Sequence, residues 1–243
     1  MNIVAIISRE WSKDIILNLI EDKKNKIQIS LILTTLKAVK KPKNVEVIYL
    51  EDSKYIDKYY KKIKLHKPTF IITYGWSEYI SKELRDISPC LILHPSPLPF
   101  YRGGSPIQNQ IINNEIKSAV SIILAEDKID TGDILYQNEI EFTGYLDEIL
   151  ERIIQEGIKG TKKIISDYKI NKLVYKSQNN SKSTTFKRIN KNELEISPDD
   201  FKNKDAKYFY NLVRGFQEPY PKIYIKCKDN SILYLEKVGF SKT

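Results

Sequence analysis

The amino-acid sequence predicts an α/β protein with a Rossmann-like, mostly parallel sheet and a small α+β C-terminal subdomain. Short β-branched runs alternate with segments of helical period in the first half of the chain, as parallel strands joined by crossover helices do. The runs are almost continuously apolar, as expected of strands covered by helices on both faces. A polar, Ser-rich stretch at residues 178–185 then separates the C-terminal part. We therefore predict domains at residues 1–177 and 178–243, with the smaller one packed on the larger.

The elements of the first half follow from local patterns. β-Branched apolar residues predict the first five strands, at residues 3–7, 27–33, 45–50, 70–73 and 90–94. Apolar residues at helical spacing predict two intervening helices, at residues 11–20 and 55–63. Ligands of such folds bind beyond the carboxyl ends of the strands, so the segments that follow the strands are where functional residues are expected.

A loop rich in Pro and Gly follows the fifth strand. It runs from His94 to Gly104 and leads into Ser105-Pro106, a pairing typical of a helix N-cap with Pro at the first helical position. A short helix is therefore predicted at residues 107–113. The remaining elements are strands at 119–125 and 134–142, a long helix from residue 146, a strand at 186–189, a helix at 206–215 and a hairpin within 223–238.

Composition excludes several classes of protein. The chain has 243 residues and two cysteines, Cys90 and Cys227, which lack metal-ligand spacing. The N-terminus has no signal-peptide pattern, and no apolar run approaches the roughly 20 residues of a membrane span, so we expect a cytoplasmic protein without a membrane partner. Residues 8–12, after the first strand, form no Gly-rich phosphate loop, which argues against kinases and NAD-dependent dehydrogenases.

The formal net charge is +9. Because the lysines are scattered along the chain and are not interleaved with aromatic residues on one track, the pattern argues against a nucleic-acid partner. A positive field nevertheless suits an anionic ligand such as a nucleotide diphosphate.

Two histidines are available for imidazole chemistry. His66 precedes a strand and is expected at a helix end or on the surface. His94 ends an apolar strand at the edge of the sheet where active sites collect, although a hydrogen-bonded core histidine is the alternative. Asp130 opens a tight Asp-Thr-Gly-Asp turn, where its carboxylate either stabilises the bend or takes part in chemistry.

Together, these motifs resemble the signature of the formyltetrahydrofolate-dependent formyltransferases. The run HPSPLPFYRGGSPIQ from His94 to Gln108 is followed by DTGDIL at residues 130–135. The Tyr74-Gly75 pair and the segment 211–221 also fit the family. The resemblance implies N10-formyltetrahydrofolate as co-substrate and no metal. It also implies that His94 stabilises the oxyanion formed when an amine attacks the formyl carbon, while Asp130 manages the proton of that amine.

One position departs from the family pattern. The family has an asparagine two residues before the histidine, and this chain has Ile92, which offers no hydrogen-bond donor. Loss of one oxyanion donor costs on the order of 100- to 1,000-fold in rate. The candidate replacement donors are Ser96, Gln108 and Asn109.

Chain length separates the substrates within the family. The intermediate length resembles that of the sugar N-formyltransferases, which implies a nucleotide-linked amino-dideoxy sugar as acceptor. We expect the dTDP-4-amino-4,6-dideoxyglucose type, used for surface polysaccharide such as the lipopolysaccharide O-antigen, and a homodimer, which is the family habit. The alternatives are a methionyl-tRNA formyltransferase-like enzyme, suggested by the charge, and a catalytically silenced folate- or nucleotide-sugar-binding homologue, suggested by Ile92.

The resemblance also implies binding residues. Those expected to border the folate are Tyr79, Ile80, Ala125 and Asp127. Those expected near the acceptor are Arg9, Trp11, Arg102 and Tyr220. Packing is the alternative role for Trp11 and Tyr220, and a structural carboxylate is the alternative partner of Arg102.

Overall fold

Seven strands form one central sheet in the computed structural model, which describes residues 1–22, 24, 27–37, 39 and 42–241. The strands of the described chain are β1 (Asn2–Ile7), β2 (Gln28–Thr34), β3 (Glu46–Tyr49), β4 (Phe70–Ile72), β5 (Cys90–His94), β6 (Arg102–Gly103), β7 (Lys117–Leu124), β8 (Ile134–Glu141), β9 (Thr185–Phe186), β10 (Ile223–Lys226) and β11 (Ile232–Leu235). The central sheet has the order β3-β2-β1-β4-β5-β7-β8. β1 to β5 are mutually parallel, and β7 and β8 add two antiparallel pairings. The predicted α/β class with a mostly parallel sheet is confirmed.

Helices lie on both faces of this sheet. The helices of the described chain are α1 (Glu10–Glu21), α2 (Tyr60–Leu65), α3 (Lys82–Arg85), α4 (Pro106–Ile112), α5 (Leu146–Lys169), α6 (Asp200–Asn203) and α7 (Ala206–Gly215). Side chains of β1 alternate between two cores, with Ile3 and Ile7 in the cluster that contains α1 and α5, and Val4 and Ile6 in the cluster of the opposite face. This two-sided burial explains why β1 is apolar at every position from residue 3 to residue 7.

Two predicted elements differ in the structure. The helix predicted at residues 55–63 is a 3₁₀ segment, Ser53–Tyr59, followed by α2, because periods of 3.0 and 3.6 residues are hard to distinguish over so few positions. The strand predicted at 186–189 is reduced to β9, which pairs in parallel with β6. Beyond that pairing, the N–H of Ile189 donates to the Ser105 hydroxyl at 3.1 Å.

The predicted cap by Ser105 is likewise wrong in its detail. Ser105 stands at the N-cap position of α4 with Pro106 next to it, but its side chain forms no bond with the helix. Its backbone has a φ of 47°, and its hydroxyl is occupied by Ile189 instead. The serine therefore joins the helix to the C-terminal part of the chain.

The C-terminal part packs on the first domain through buried polar and apolar contacts. Its own core includes Leu212, Val213 and Phe216. Arg214 is 5% exposed and donates to the carbonyl oxygens of Phe142 and Gly144 at 3.3 and 2.8 Å. Within the described residues, no helix is long and apolar enough to cross a bilayer.

Candidate active site

A cavity of about 700 Å³ opens at the carboxyl ends of the parallel strands. Its walls come from the loop after β1, the segment after β4, the end of β5, the turn before β8 and residues of the C-terminal part. Cavities of 300 to 1,000 Å³ are typical of sites for small molecules and cofactors. Because its position is the one that parallel α/β sheets use for ligands, this cavity is the candidate active site.

His94 and Asp130 meet in the wall of this cavity. The Nδ1 atom of His94 lies 3.4 Å from the Oδ2 atom of Asp130. The Nε2 atom of the same ring lies 2.8 Å from the carbonyl oxygen of Tyr101, so Nε2 is a donor there. The Asp130 carboxylate also accepts the N–H of Gly103 at 2.8 Å. Both ring nitrogens of His94 therefore face oxygen atoms.

The loop that surrounds the histidine has an unusual backbone. Tyr101 and Asp130 have φ angles of 59° and 54°, in the left-handed region that non-glycine residues seldom occupy. Gly103 has a φ of 90°, and a Cβ atom on it would lie 2.5 Å from the carbonyl oxygen of Phe186. Such conformations often accumulate at functional sites, where the surrounding structure holds them.

Ile92 occupies the expected place of the missing donor. It lies two residues before His94 on β5, so both side chains project from the same face of the strand, and both line the cavity. The wall beside the histidine is therefore apolar at this point.

The three proposed replacement donors differ in where they point. The Ser96 hydroxyl donates to the Phe100 carbonyl at 2.8 Å, and the Asn109 amide donates to the carbonyls of Gly104 and Ser105. Neither of these side chains lines the cavity, whereas Gln108 does. Gln108 is buried, and its amide nitrogen is 3.3 Å from the Gly215 carbonyl, which leaves one of its two N–H groups for other use.

On the predicted folate side, three of four residues line the cavity. Tyr79, Ile80 and Ala125 form part of its wall. Asp127 does not, because its carboxylate forms an ion pair with Arg85 and its carbonyl accepts the Tyr79 hydroxyl at 3.2 Å. The structure thus places Asp127 as an anchor of the loop before Asp130.

On the predicted acceptor side, Arg9, Trp11 and Tyr220 also line the cavity. The Arg9 guanidinium lies 5.5 Å from the centre of the Tyr220 ring. Burial raises the pKa of the Tyr220 hydroxyl, and the Arg9 cation opposes this increase. The Trp11 indole nitrogen is also buried, and its interaction with the Tyr220 hydroxyl likewise opposes the increase in that pKa.

Arg102 lies outside the cavity wall, and its guanidinium binds side-chain amide oxygens. Its guanidinium donates to the Gln178 side-chain oxygen at 3.2 and 2.6 Å and to that of Asn180 at 2.8 Å. Burial lowers the pKa of Arg102, and the nearby Asp130 carboxylate opposes this effect. Arg102 therefore attaches the predicted linker to the loop after β5.

Sequence reasoning missed two cations that the C-terminal part brings to the cavity wall. These are Arg188 and Lys191, which line the cavity together with Lys128 of the turn before β8. Neither forms an ion pair with a described carboxylate. The sequence signal for these two residues was the group of basic residues between positions 182 and 191. That pattern alone does not indicate which of these side chains face a ligand.

Comparisons with known proteins show which proteins this chain is similar to. The formyl transferase family model matches residues 2–167. Methionyl-tRNA formyltransferase from Clostridium beijerinckii is 34% identical over 182 residues, which are 72% of this chain and 56% of that protein. The chain spans about half the length of several such curated relatives.

Two solved structures cover almost the whole chain. A methionyl-tRNA formyltransferase from Clostridium thermocellum has a TM-score of 0.72 and 26% identity, with 96% of each chain covered. A 4-N formyltransferase from Francisella tularensis has a TM-score of 0.74, with 100% of this chain and 98% of that chain covered. At 19% identity, the second similarity shows the fold.

Proposed function

The chain belongs to the formyl transferase family, and on this basis we propose that it formylates the amino group of a nucleotide-linked amino-dideoxy sugar. The formyl donor of this family is N10-formyltetrahydrofolate. The observation that carries the proposal is the His94–Asp130 pair, with 3.4 Å between Nδ1 and Oδ2, in the wall of a cavity of about 700 Å³. Tyr79, Ile80 and Ala125 supply an apolar wall for the pterin.

The reaction requires one proton carrier and one group that stabilises negative charge. The amine nitrogen attacks the formyl carbon, and the carbonyl electron pair moves to oxygen. In the proposal, His94 stabilises this oxyanion and Asp130 accepts the amine proton. Collapse of the intermediate then breaks the bond between the formyl carbon and N10, which takes up a proton. The products are the formylated amine and tetrahydrofolate.

Gln108 is the proposed replacement for the missing oxyanion donor. Of the three candidates, it alone lines the cavity with His94 and Ile92. Its amide has one N–H beyond the bond to Gly215. Preorganised donors of this kind supply the largest electrostatic contribution to acyl transfer in many enzymes.

The acceptor side supports a small anionic substrate. Arg188 and Lys191 bring two positive charges to the cavity, and neither forms an ion pair with a described carboxylate. Guanidinium and ammonium groups are suitable ligands for a diphosphate. The Trp11 N–H, which lies beside the Tyr220 hydroxyl in the cavity wall, adds a donor for a sugar or nucleotide oxygen.

Two alternatives each have an observation in their favour. Relatives with about 30% identity are named methionyl-tRNA formyltransferase, and the net charge of +9 suits a nucleic acid. Ile92, by contrast, favours a homologue that binds its ligands without turnover, because it provides no hydrogen bond beside His94.

One assay separates the three functions. The protein is mixed with N10-formyltetrahydrofolate and, separately, with dTDP- and UDP-linked 3-amino and 4-amino dideoxysugars or with methionyl-tRNA, and tetrahydrofolate release is followed. We expect turnover on one amino sugar, and its loss in His94→Ala. Turnover on methionyl-tRNA alone would replace the sugar proposal. Folate binding without turnover on any acceptor would favour the silenced homologue.

A further inference from the structure

We infer that Gln178, which lies outside the matched family domain, is a positioning residue that holds the His94–Asp130 pair in place. The inference rests on the proposed function, because it assumes that this pair carries out the chemistry. It concerns a segment that the sequence predicts to be a linker, and the family match ends before it, at residue 167.

The side-chain amide of Gln178 connects the two loops of the site. Its nitrogen donates to the carbonyl oxygens of Asp130 and Gly132 at 2.9 and 2.8 Å. Its oxygen accepts two N–H groups of Arg102, at 3.2 and 2.6 Å. All four hydrogen-bonding positions of one amide are therefore used, two on the turn that carries Asp130 and two on the loop after β5.

Both loops also contact the catalytic pair directly. The residues on either side of Arg102 are Tyr101, whose carbonyl faces His94 Nε2 at 2.8 Å, and Gly103, whose N–H donates to the Asp130 carboxylate at 2.8 Å. Through Arg102, Gln178 is therefore connected to both members of the pair, because Tyr101 contacts His94 and Gly103 contacts Asp130.

The backbone of Asp130 needs such support. Its φ of 54° is uncommon for a residue with a side chain, so the turn keeps this conformation because surrounding bonds hold it. The bond from Gln178 to the Asp130 carbonyl acts on this peptide itself. If the turn relaxes, the carboxylate moves relative to His94, and misplacement by about 1 Å can cost on the order of 100-fold in rate.

A Gln178→Glu variant distinguishes two roles of Gln178: positioning of the His94–Asp130 pair, and attachment of the predicted linker to Arg102. The new carboxylate still accepts from Arg102, so the segment stays attached, but it cannot donate to the carbonyls of Asp130 and Gly132. The matched control is Asn179→Asp, which makes the same amide-to-acid change at a neighbour whose side-chain oxygen only accepts, from Ser181.

We expect Gln178→Glu to lower kcat by about 10- to 100-fold, with both KM values within about twofold and Tm close to that of the parent protein. Asn179→Asp should leave kcat unchanged. If Gln178→Glu kept the parental kcat, Gln178 would only attach the segment, and the inference would be overturned.

A second readout does not depend on turnover. The chain has two histidines, so a 15N-histidine spectrum contains two imidazoles, which a His66→Asn variant assigns. Gln178→Glu should move the ring signals of His94 and leave those of His66 in place. An unchanged His94 signal would also overturn the inference. If the parent protein formylates none of the acceptors, the proposed function fails, but this spectrum still decides whether Gln178 orients His94.

Discussion

The carbonyl oxygen of Tyr101 lies 2.8 Å from Nε2 of His94 and makes that nitrogen a hydrogen-bond donor. The other ring nitrogen, Nδ1, faces Asp130 at 3.4 Å. The loop after β5 therefore fixes the orientation of the ring, and the turn before β8 supplies its acidic neighbour. The two motifs that are separated in the sequence act on one buried imidazole.

Replacement of His94 tests the proposed chemistry most directly. We expect His94→Ala to lower kcat by about 100- to 10,000-fold, the usual contribution of an acid–base group, while circular dichroism shows a folded protein. The matched control is His66→Ala, because His66 contacts Ser30 and Glu46 outside the cavity wall. Equal rates for His94→Ala and the parent protein would contradict the assignment.

Ile92→Asn restores the side chain that the family has at this position. Since one oxyanion donor is worth about 100- to 1,000-fold, and Gln108 supplies part of this in our proposal, we expect kcat to rise by about tenfold. Ile92→Leu has a similar volume and no donor, so it should remain near the parental rate. A rate for Ile92→Asn no higher than that of Ile92→Leu, at equal Tm, would contradict the prediction that the oxyanion lacks a donor.

Removal of the two unpaired cations tests the charge of the acceptor. The double variant Arg188→Ser with Lys191→Ser should raise the KM for a diphosphate-linked acceptor by at least about 100-fold, because it removes two charged hydrogen bonds that contribute about 1.5 to 3 kcal/mol each. The kcat should change little. Lys182→Ser with Lys187→Ser removes the same charge outside the cavity wall and should leave KM unchanged. An unaltered KM in the first variant would argue against an anionic acceptor.

Arg214 should stabilise the attachment of the C-terminal part. Arg214→Met leaves the buried carbonyl of Phe142 and the partly buried carbonyl of Gly144 without their present donor. We expect a decrease of about 2 to 4 kcal/mol in the free energy of unfolding, measured by urea denaturation. Arg152→Met, at a half-buried side chain that donates to Thr143, should cost about 1 kcal/mol or less. Similar losses in the two variants would contradict this role.

The two cysteines provide a check on packing. Burial raises the pKa of the Cys90 thiol to about 12, so it stays protonated and unreactive at pH 8. Cys227 is half-buried on the C-terminal part. A thiol reagent should therefore modify one cysteine rapidly in the native protein and both after unfolding. Fast modification of Cys90 in the native state, located by mass spectrometry, would be inconsistent with its burial in β5.

Local sequence determined the strands and most helices. A run such as residues 3–7 is apolar on both faces only where helices cover both faces of the sheet. It also determined His94 and Asp130 as candidates, through two motifs of fixed order. Side chains in loops were decided by the tertiary structure. Arg102 binds Gln178, which is 76 positions away, and whether Ser96, Gln108 or Asn109 faces the cavity depends on partners that no local pattern specifies. Such contacts form only when distant segments pack together. The sequence could therefore identify the candidate residues, and only the fold could show which contacts hold them in place.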